Sequence, residues 1–202
     1  MHIGIDFDNT IVSYDELFHR VAVEQGLVPS RLSATKLAVR DHLRLNGLEQ
    51  TWIEMQGHVY GARMQQAAMY PGFVEFVLWA RSAGHTLSIV SHKTRHPFAG
   101  PQYDLHAAAR AWIEAKLQHE NRALFPDDAI FFELTKPEKL ARIATIGCEA
   151  FIDDLPEILL ADDMPPNVRK LLFDPDVAHA AKDHPGVVSV SSWSAIRDAV
   201  DE

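Results

Sequence analysis

Short apolar runs, each followed by a helical pattern, recur along this chain and leave few architectures open. Met1 to Phe7 hardly alternates and stays apolar up to its acidic end, as a strand buried on both faces does. His85–Val90, Ala129–Phe132, Ala150–Ile152 and Lys170–Phe173 read the same way, with Gly186–Val190 as a short sixth candidate. Helical periodicity fills the intervals at Gly72–Ala83, Leu105–His119, Pro137–Ile146 and Ser194–Val200. Pro71-Gly72 sits where a helix starts and Gly84 where one stops. Strands that alternate with helices imply a parallel sheet covered by helices on both faces.

One stretch interrupts this order. Tyr14 to Tyr70 holds no convincing strand and reads as three helices, near 14–26, 33–46 and 49–68, joined at Pro29-Ser30 and Asn46-Gly47. The expected organisation is therefore a core formed by 1–13 and 70–202, with 14–69 as a helical insertion after the first strand. Such an insertion is placed to cover the C-terminal edge of the sheet, where open α/β sheets bind ligands. At 202 residues and 47% hydrophobic content, the chain can build one such core without disulfides or a structural metal.

The acidic residues fall at informative points. Asp6 and Asp8 close the first apolar run in IGIDFDNT, and residues two apart on a strand share a face. Asp153 and Asp154 follow another apolar run in FIDD. Strand ends of a parallel sheet lie at one edge, so four carboxylates are expected on one rim. Such carboxylates repel one another unless they share a proton, divide their roles or hold a cation. An oxygen-rich set of this kind suits a hard divalent ion, and Mg²⁺ fits best because it bridges one or two carboxylates to substrate phosphate.

Other features narrow the class. A net charge of -9 and the lack of a Lys/Arg run argue against a nucleic-acid partner. Cys148 is the single cysteine, which excludes an internal disulfide and a Cys-rich zinc site and suggests a packing role. The 11 histidines include no HExxH pair. Met1 leads straight into a strand, and no apolar run approaches the length of a membrane span, so the expectation is a cytoplasmic protein with no membrane partner.

Two further positions complete a phosphate site. Ser91 ends the apolar run HTLSIVS, where its hydroxyl and nearby backbone N–H groups can meet phosphoryl oxygens. Lys136, in ELTKPEKL just before a helix, offers a point charge for the same oxygens. Taken in order, IGIDFDNT, LSIVS, TKPEK and FIDD resemble the four motifs of the haloacid dehalogenase (HAD) superfamily. The resemblance gives Asp6, Asp8 and Thr10 to the first motif, Ser91 to the second and Asp153/Asp154 to the fourth. Lys136 falls to the third motif, with Lys139 as its alternative. Only Tyr14–Tyr70 and about Arg95–Asp128 lie outside the matched framework.

The resemblance implies a three-layer, Rossmann-like α/β core with a small helical cap, and a Mg²⁺-dependent phosphatase acting on a small phosphorylated metabolite. Asp6 would attack phosphorus and form an aspartyl-phosphate, and Asp8 would serve as general acid and then general base. The ion would be held by the Asp6 carboxylate, the Asp8 backbone carbonyl and Asp154, with Asp153 acting through water or as the alternative ligand. Ser91 and Lys136 would bind the phosphoryl oxygens, and Thr10 would position the loop of the first motif. Dehalogenases of the superfamily lack an acid/base Asp two residues after the nucleophile, so Asp8 points to phosphoryl chemistry. A phosphotransferase or mutase, and a regulatory module with little turnover, are the alternatives.

Specificity is less legible. Trp52 and Tyr60 share a face of the third inserted helix and read as packing residues, while Arg40, Arg44 and Arg63 could meet an anionic leaving group. After Ser91, the basic segment containing His92, Lys93, Arg95 and His96 could recognise a second anionic group on the substrate.

Overall fold

The computed structural model describes residues 1–179 and 184–201. Its elements run β1 (His2–Ile5), β2 (Val12–Ser13), α1 (Asp15–Glu24), α2 (Lys36–Leu45), α3 (Glu49–Tyr60), β3 (Ala68–Met69), α4 (Phe73–Ser82) and β4 (Thr86–His92). They continue with α5 (Leu105–Lys116), β5 (Gln118–His119), β6 (Arg122–Ala123), β7 (Ile130–Glu133), α6 (Lys136–Thr145), β8 (Ala150–Asp153), α7 (Pro156–Leu159), β9 (Arg169–Phe173), β10 (Val187–Val190) and α8 (Trp193–Asp201). Each of the six apolar runs is a strand of one sheet, in the order β10-β9-β8-β1-β4-β7. Every neighbouring pair is parallel. This is the expected Rossmann-like α/β architecture.

The strand order explains where chemistry can sit. From β1 the chain builds outward through β4 and β7, then crosses back to β8 on the other side of β1. The crevice at such a reversal opens at the carboxyl ends of the strands. Ile5 of β1 lies level with Ile152 of β8, so the residues after Ile5 and Ile152 meet at that crevice. Ile3 and Ile5 have no exposed surface, which is why β1 reads as an unbroken apolar run. Gly4, between them, lets β8 approach: a Cβ there would come within 2.6 Å of the Phe151 ring and 2.7 Å of Cys148 Sγ. Cys148 is buried in this core, and burial pushes its thiol up to about 12.

Capping sets the helix that matters most. Thr135 accepts from the Glu138 backbone N–H, and the Glu138 side chain accepts from the Thr135 N–H, a reciprocal capping box with Pro137 in the first turn. The start of α6 is thereby fixed at Lys136. On its buried stripe lie Lys139, Leu140 and Ile143.

The contacts divide the chain into two compact units: 1–11, 69–93 and 117–202 in the first, and 12–68 with 94–116 in the second. The second unit therefore contains more than the expected 14–69 insertion, because α5 and the loop before it belong there too. Trp112 of α5 is fully buried and donates its indole N–H to Ala67 O at 3.1 Å. Gly57 and Gly61 of the α3 segment admit Pro97 and Tyr103, whose side-chain atoms would lie 2.6 and 2.5 Å from an added Cβ. Trp52 packs on Phe18 at 5.1 Å, and Tyr60 on Tyr14 at 4.9 Å, so both are packing residues.

Boundaries differ from the sequence reading in two more places. Ala68–Met69 is a strand, paired with Val12–Ser13, where only helix was expected. The helix expected over 105–119 stops at Lys116 and gives way to the β5–β6 hairpin. Glu120 and Asn121 turn that hairpin with φ of 50° and 61°, the handedness that matches strand twist. Among the described residues, no helix is long and apolar enough to cross a membrane.

Candidate active site

The site grows from the ends of β1 and β8. The Asp6 N–H donates to Ile152 O at 2.9 Å, which carries the ladder one residue beyond β1. Asp153, the last residue of β8, stands beside it. Between the two carboxylates lies the Lys139 ammonium, 2.6 Å from Asp6 Oδ1 and 2.6 Å from Asp153 Oδ2. All three side chains are buried, at 6%, 0% and 2% exposure for Asp6, Asp153 and Lys139. Asp153 also accepts the Leu155 N–H at 2.9 Å through Oδ1. Asp154 accepts from the buried Thr10 hydroxyl at a long 3.5 Å.

Electrostatics follow from this burial. Desolvation pushes the Asp6 carboxyl up to about 6; Lys139 opposes the shift, and the charges of Asp153 and Asp8 add to it. Burial alone would lower the Lys139 ammonium, but the Asp153 and Asp6 carboxylates outweigh it and hold its pKa above the usual range. His92, at the end of β4, is held below the ordinary imidazole value by burial first and by the Lys139 and Lys136 charges second.

Asp8 sits on the turn after β1, which Asn9 closes in the left-handed region at φ 58° while Ile11 N–H donates to Phe7 O at 3.1 Å. The Lys93 ammonium meets the Asp8 carboxylate, 2.7 Å from Oδ2 and 3.0 Å from Oδ1. Lys93 was expected to reach toward a second anionic group; instead its amine turns inward. Ser91, two residues earlier and within β4, is 1% exposed, and its hydroxyl has no hydrogen-bond partner among the described residues.

Lys136 requires a correction. Its side chain is exposed and its amine is paired with Glu157, whereas Lys139 enters the acidic cluster. The capping box makes Lys136 the first residue of α6, while Lys139 lies three residues further along on the buried stripe. A lysine within the apolar stripe Lys139–Leu140–Ile143 was the signal available in the sequence. Lys93 had a weaker one: two residues after Ser91 on an extended strand, it shares that residue's face.

The remaining basic candidates are otherwise engaged. Arg63 lies in the second unit and holds Glu24 through both oxygens, at 2.7 and 3.2 Å, with a further bond to Gln66. Arg95, exposed in the same unit, bonds Asp104 at 3.1 and 3.2 Å, and His96 Nδ1 lies 3.1 Å from Tyr103 O. Arg44 is paired with Glu49 and Arg40 with Asp41.

A divalent cation fits the donor set. Asp6, Asp153 and Asp154 each offer an oxygen, and these lie within 4.8 Å of one another. Charge agrees with geometry. Asp6, Asp8, Asp153 and Asp154, when ionised, bring four negative charges, and the Lys93 and Lys139 ammoniums offset two of them.

No family model matches the chain, and no curated relative matches it. Solved structures do. A haloacid dehalogenase-like family hydrolase from Xanthomonas campestris aligns with 100% of this chain and 94% of its own, at 17% identity and a TM-score of 0.57. A HAD family hydrolase from Deinococcus radiodurans R1, solved with bound phosphate and sodium, covers 98% of this chain and 94% of its own, at 16% identity and a TM-score of 0.58. An L-2-haloacid dehalogenase covers 100% and 98%, at 13% identity and a TM-score of 0.53. The chain thus has the haloacid dehalogenase fold. Proteins named for different chemistries share that fold, so only the site can decide between them.

Proposed function

We propose that this chain, built on the haloacid dehalogenase fold, is a Mg²⁺-dependent hydrolase of small phosphomonoesters that uses Asp6 as nucleophile and Asp8 as general acid and base. The observation that carries this reading is the buried Ser91 hydroxyl, without a partner among the described residues, at the end of β4, the strand next to β1, from which Asp6 projects. An unsatisfied hydroxyl in a buried position costs free energy, and a phosphoryl oxygen would supply the missing partner.

The reaction divides among the residues as follows. Asp6 attacks phosphorus in line, and the leaving oxygen takes a proton from Asp8. Asp8 then removes a proton from the water that hydrolyses the aspartyl-phosphate. Lys139 takes the part first given to Lys136: it orients the Asp6 carboxylate and offsets charge gathering on the phosphoryl oxygens. Asp6, Asp154 and the Asp8 carbonyl would hold Mg²⁺, with Asp153, both of whose oxygens already accept hydrogen bonds, supporting through water. When bound, the ion supplies the positive charge that lets a carboxylate approach a phosphate dianion. Asp8 separates this reading from dehalogenation, in which the attack on carbon expels a halide ion that leaves without a proton.

The test is phosphate release across a broad panel of phosphorylated metabolites with Mg²⁺, beside an Asp6→Asn control. Release from at least one small monoester, abolished in the control, is expected. No release from any, or equal release by the variant, would refute the reading. Adding an alcohol or sugar acceptor distinguishes transfer to water from transfer to another hydroxyl.

A further inference from the structure

We infer that Lys93 is a positioning residue for proton transfer: its ammonium fixes the Asp8 carboxylate in the orientation from which Asp8 can serve the leaving oxygen. This rests on the role of Asp8 proposed above.

The geometry is asymmetric. The Lys93 side chain is 4% exposed, whereas Asp8 is 23% exposed, so the amine lies on the protein side of the pair and the carboxylate opens outward. Both Asp8 oxygens fall within hydrogen-bond reach of one ammonium, at 2.7 and 3.0 Å, which restrains rotation of the carboxylate as well as its position. Lys93 is itself restrained. Its backbone N–H donates to Glu133 O at 2.8 Å, tying the end of β4 to β7, and its amine lies 5.9 Å from the centre of the Phe7 ring. The segment carrying Asp8 is a tight turn with few ladder bonds, so the side chain gains its orientation from an anchor just past the end of β4. Burying an amine is unfavourable unless a charged partner offsets it, and Asp8 is such a partner. Lysine at this position therefore serves Asp8 at a cost that a surface residue would avoid.

General acid catalysis contributes roughly 100-fold or more and depends on hydrogen-bond geometry at the leaving oxygen. Its contribution is large for an alkoxide, which cannot leave without a proton, and small for p-nitrophenolate, which can. A residue that acts by positioning the acid must share that discrimination. A residue that only stabilises the fold, or only binds phosphate, must not.

The experiment compares kcat/KM on the best alkyl phosphate from the screen and on p-nitrophenyl phosphate, for native protein, Lys93→Met, Lys93→Arg, Asp8→Asn and the double variant Asp8→Asn/Lys93→Met. Lys93→Met is expected to lose about 100-fold on the alkyl ester and less than about 5-fold on the aryl ester, with Lys93→Arg recovering part of the loss. The double variant is expected to be no worse than Asp8→Asn on the alkyl ester. Equal losses on both esters, a pure rise in KM, or additive losses in the double variant would overturn the inference. If Asp8→Asn itself shows no preference for the aryl ester, the acid/base reading of Asp8 fails instead. Thermal melting of each variant with Mg²⁺ guards the comparison; should Lys93→Met fail to fold, Lys93→Arg and Lys93→Gln carry the same test.

Discussion

The Lys139 ammonium and the Asp6 carboxylate, 133 positions apart in sequence, meet at 2.6 Å in a buried pocket. Asp153 completes the contact at the same distance on the opposite side. Removing one partner of such a cluster strands the others without compensation, at a cost of about 3–5 kcal/mol.

Lys139→Met should therefore abolish phosphate release and lower the thermal midpoint by several degrees. Lys136→Ala, which removes an exposed pair with Glu157, should keep turnover within about twofold and cost no more than about 1 kcal/mol. Steady-state kinetics and thermal melts of both variants decide the matter. A dead Lys136→Ala beside an active Lys139→Met would reverse the assignment.

The buried Asp6 carboxyl gives a pH signature to the metal-free protein. The unfolded chain releases this proton near 3.8, whereas the folded protein keeps it until about 6. The resulting stabilisation is complete below 3.8 and is lost as pH rises through about 6, on the order of 3 kcal/mol across the window. In EDTA, Asp6→Asn should gain stability relative to native protein as pH moves from 5 to 7.5. A gap between their melting temperatures that ignores pH would contradict this. Mg²⁺ must displace the same proton, so its affinity should weaken about tenfold per pH unit below about 6, as titration calorimetry would record.

Asp154 is the cluster's less buried acid, beside the fully buried pair Asp6 and Asp153. Asp154→Asn should raise the Mg²⁺ concentration needed for half-maximal activity by about 10-fold or more, with partial rescue at high Mg²⁺. EDTA should inhibit native protein, and added Mg²⁺ should restore it. An unchanged Mg²⁺ requirement in the variant would remove Asp154 from the ligand set.

At Gly57, α3 and the 94–104 loop approach closely within the second unit. Gly57→Ala would put a methyl group 2.6 Å from Pro97 Cβ and 2.8 Å from its Cγ, and a proline ring cannot swing aside. The variant should lose about 1–3 kcal/mol in denaturant unfolding. A fully stable Gly57→Ala would show that the loop yields without cost.

Much of this site could be read from the chain because its logic is local. A strand buried on both faces must be apolar, so a carboxylate at its end, as at Asp6 or Asp153, stands out. Parallel pairing then brings strand ends to one edge, which puts Asp6 and Asp153 on one rim before any coordinate is known. Lys139 resisted such reading. Lys136 and Lys139 differ by less than a turn of helix, and only packing against the sheet reveals which one turns inward. Lys93 likewise reads as one cation in a basic loop until β4 and the turn after β1 lie side by side.

The sequence by itself determined the six strands of the main sheet, the acidic strand ends and the helical break after the first strand, because each depends on residue periodicity and solubility along a short stretch. Tertiary structure alone decided which lysine meets Asp6, what holds Asp8, and that α5 belongs with the inserted helices. Those outcomes depend on close approach between distant segments, on Gly57 against Pro97 or Lys139 between two carboxylates, and no local pattern encodes a distance.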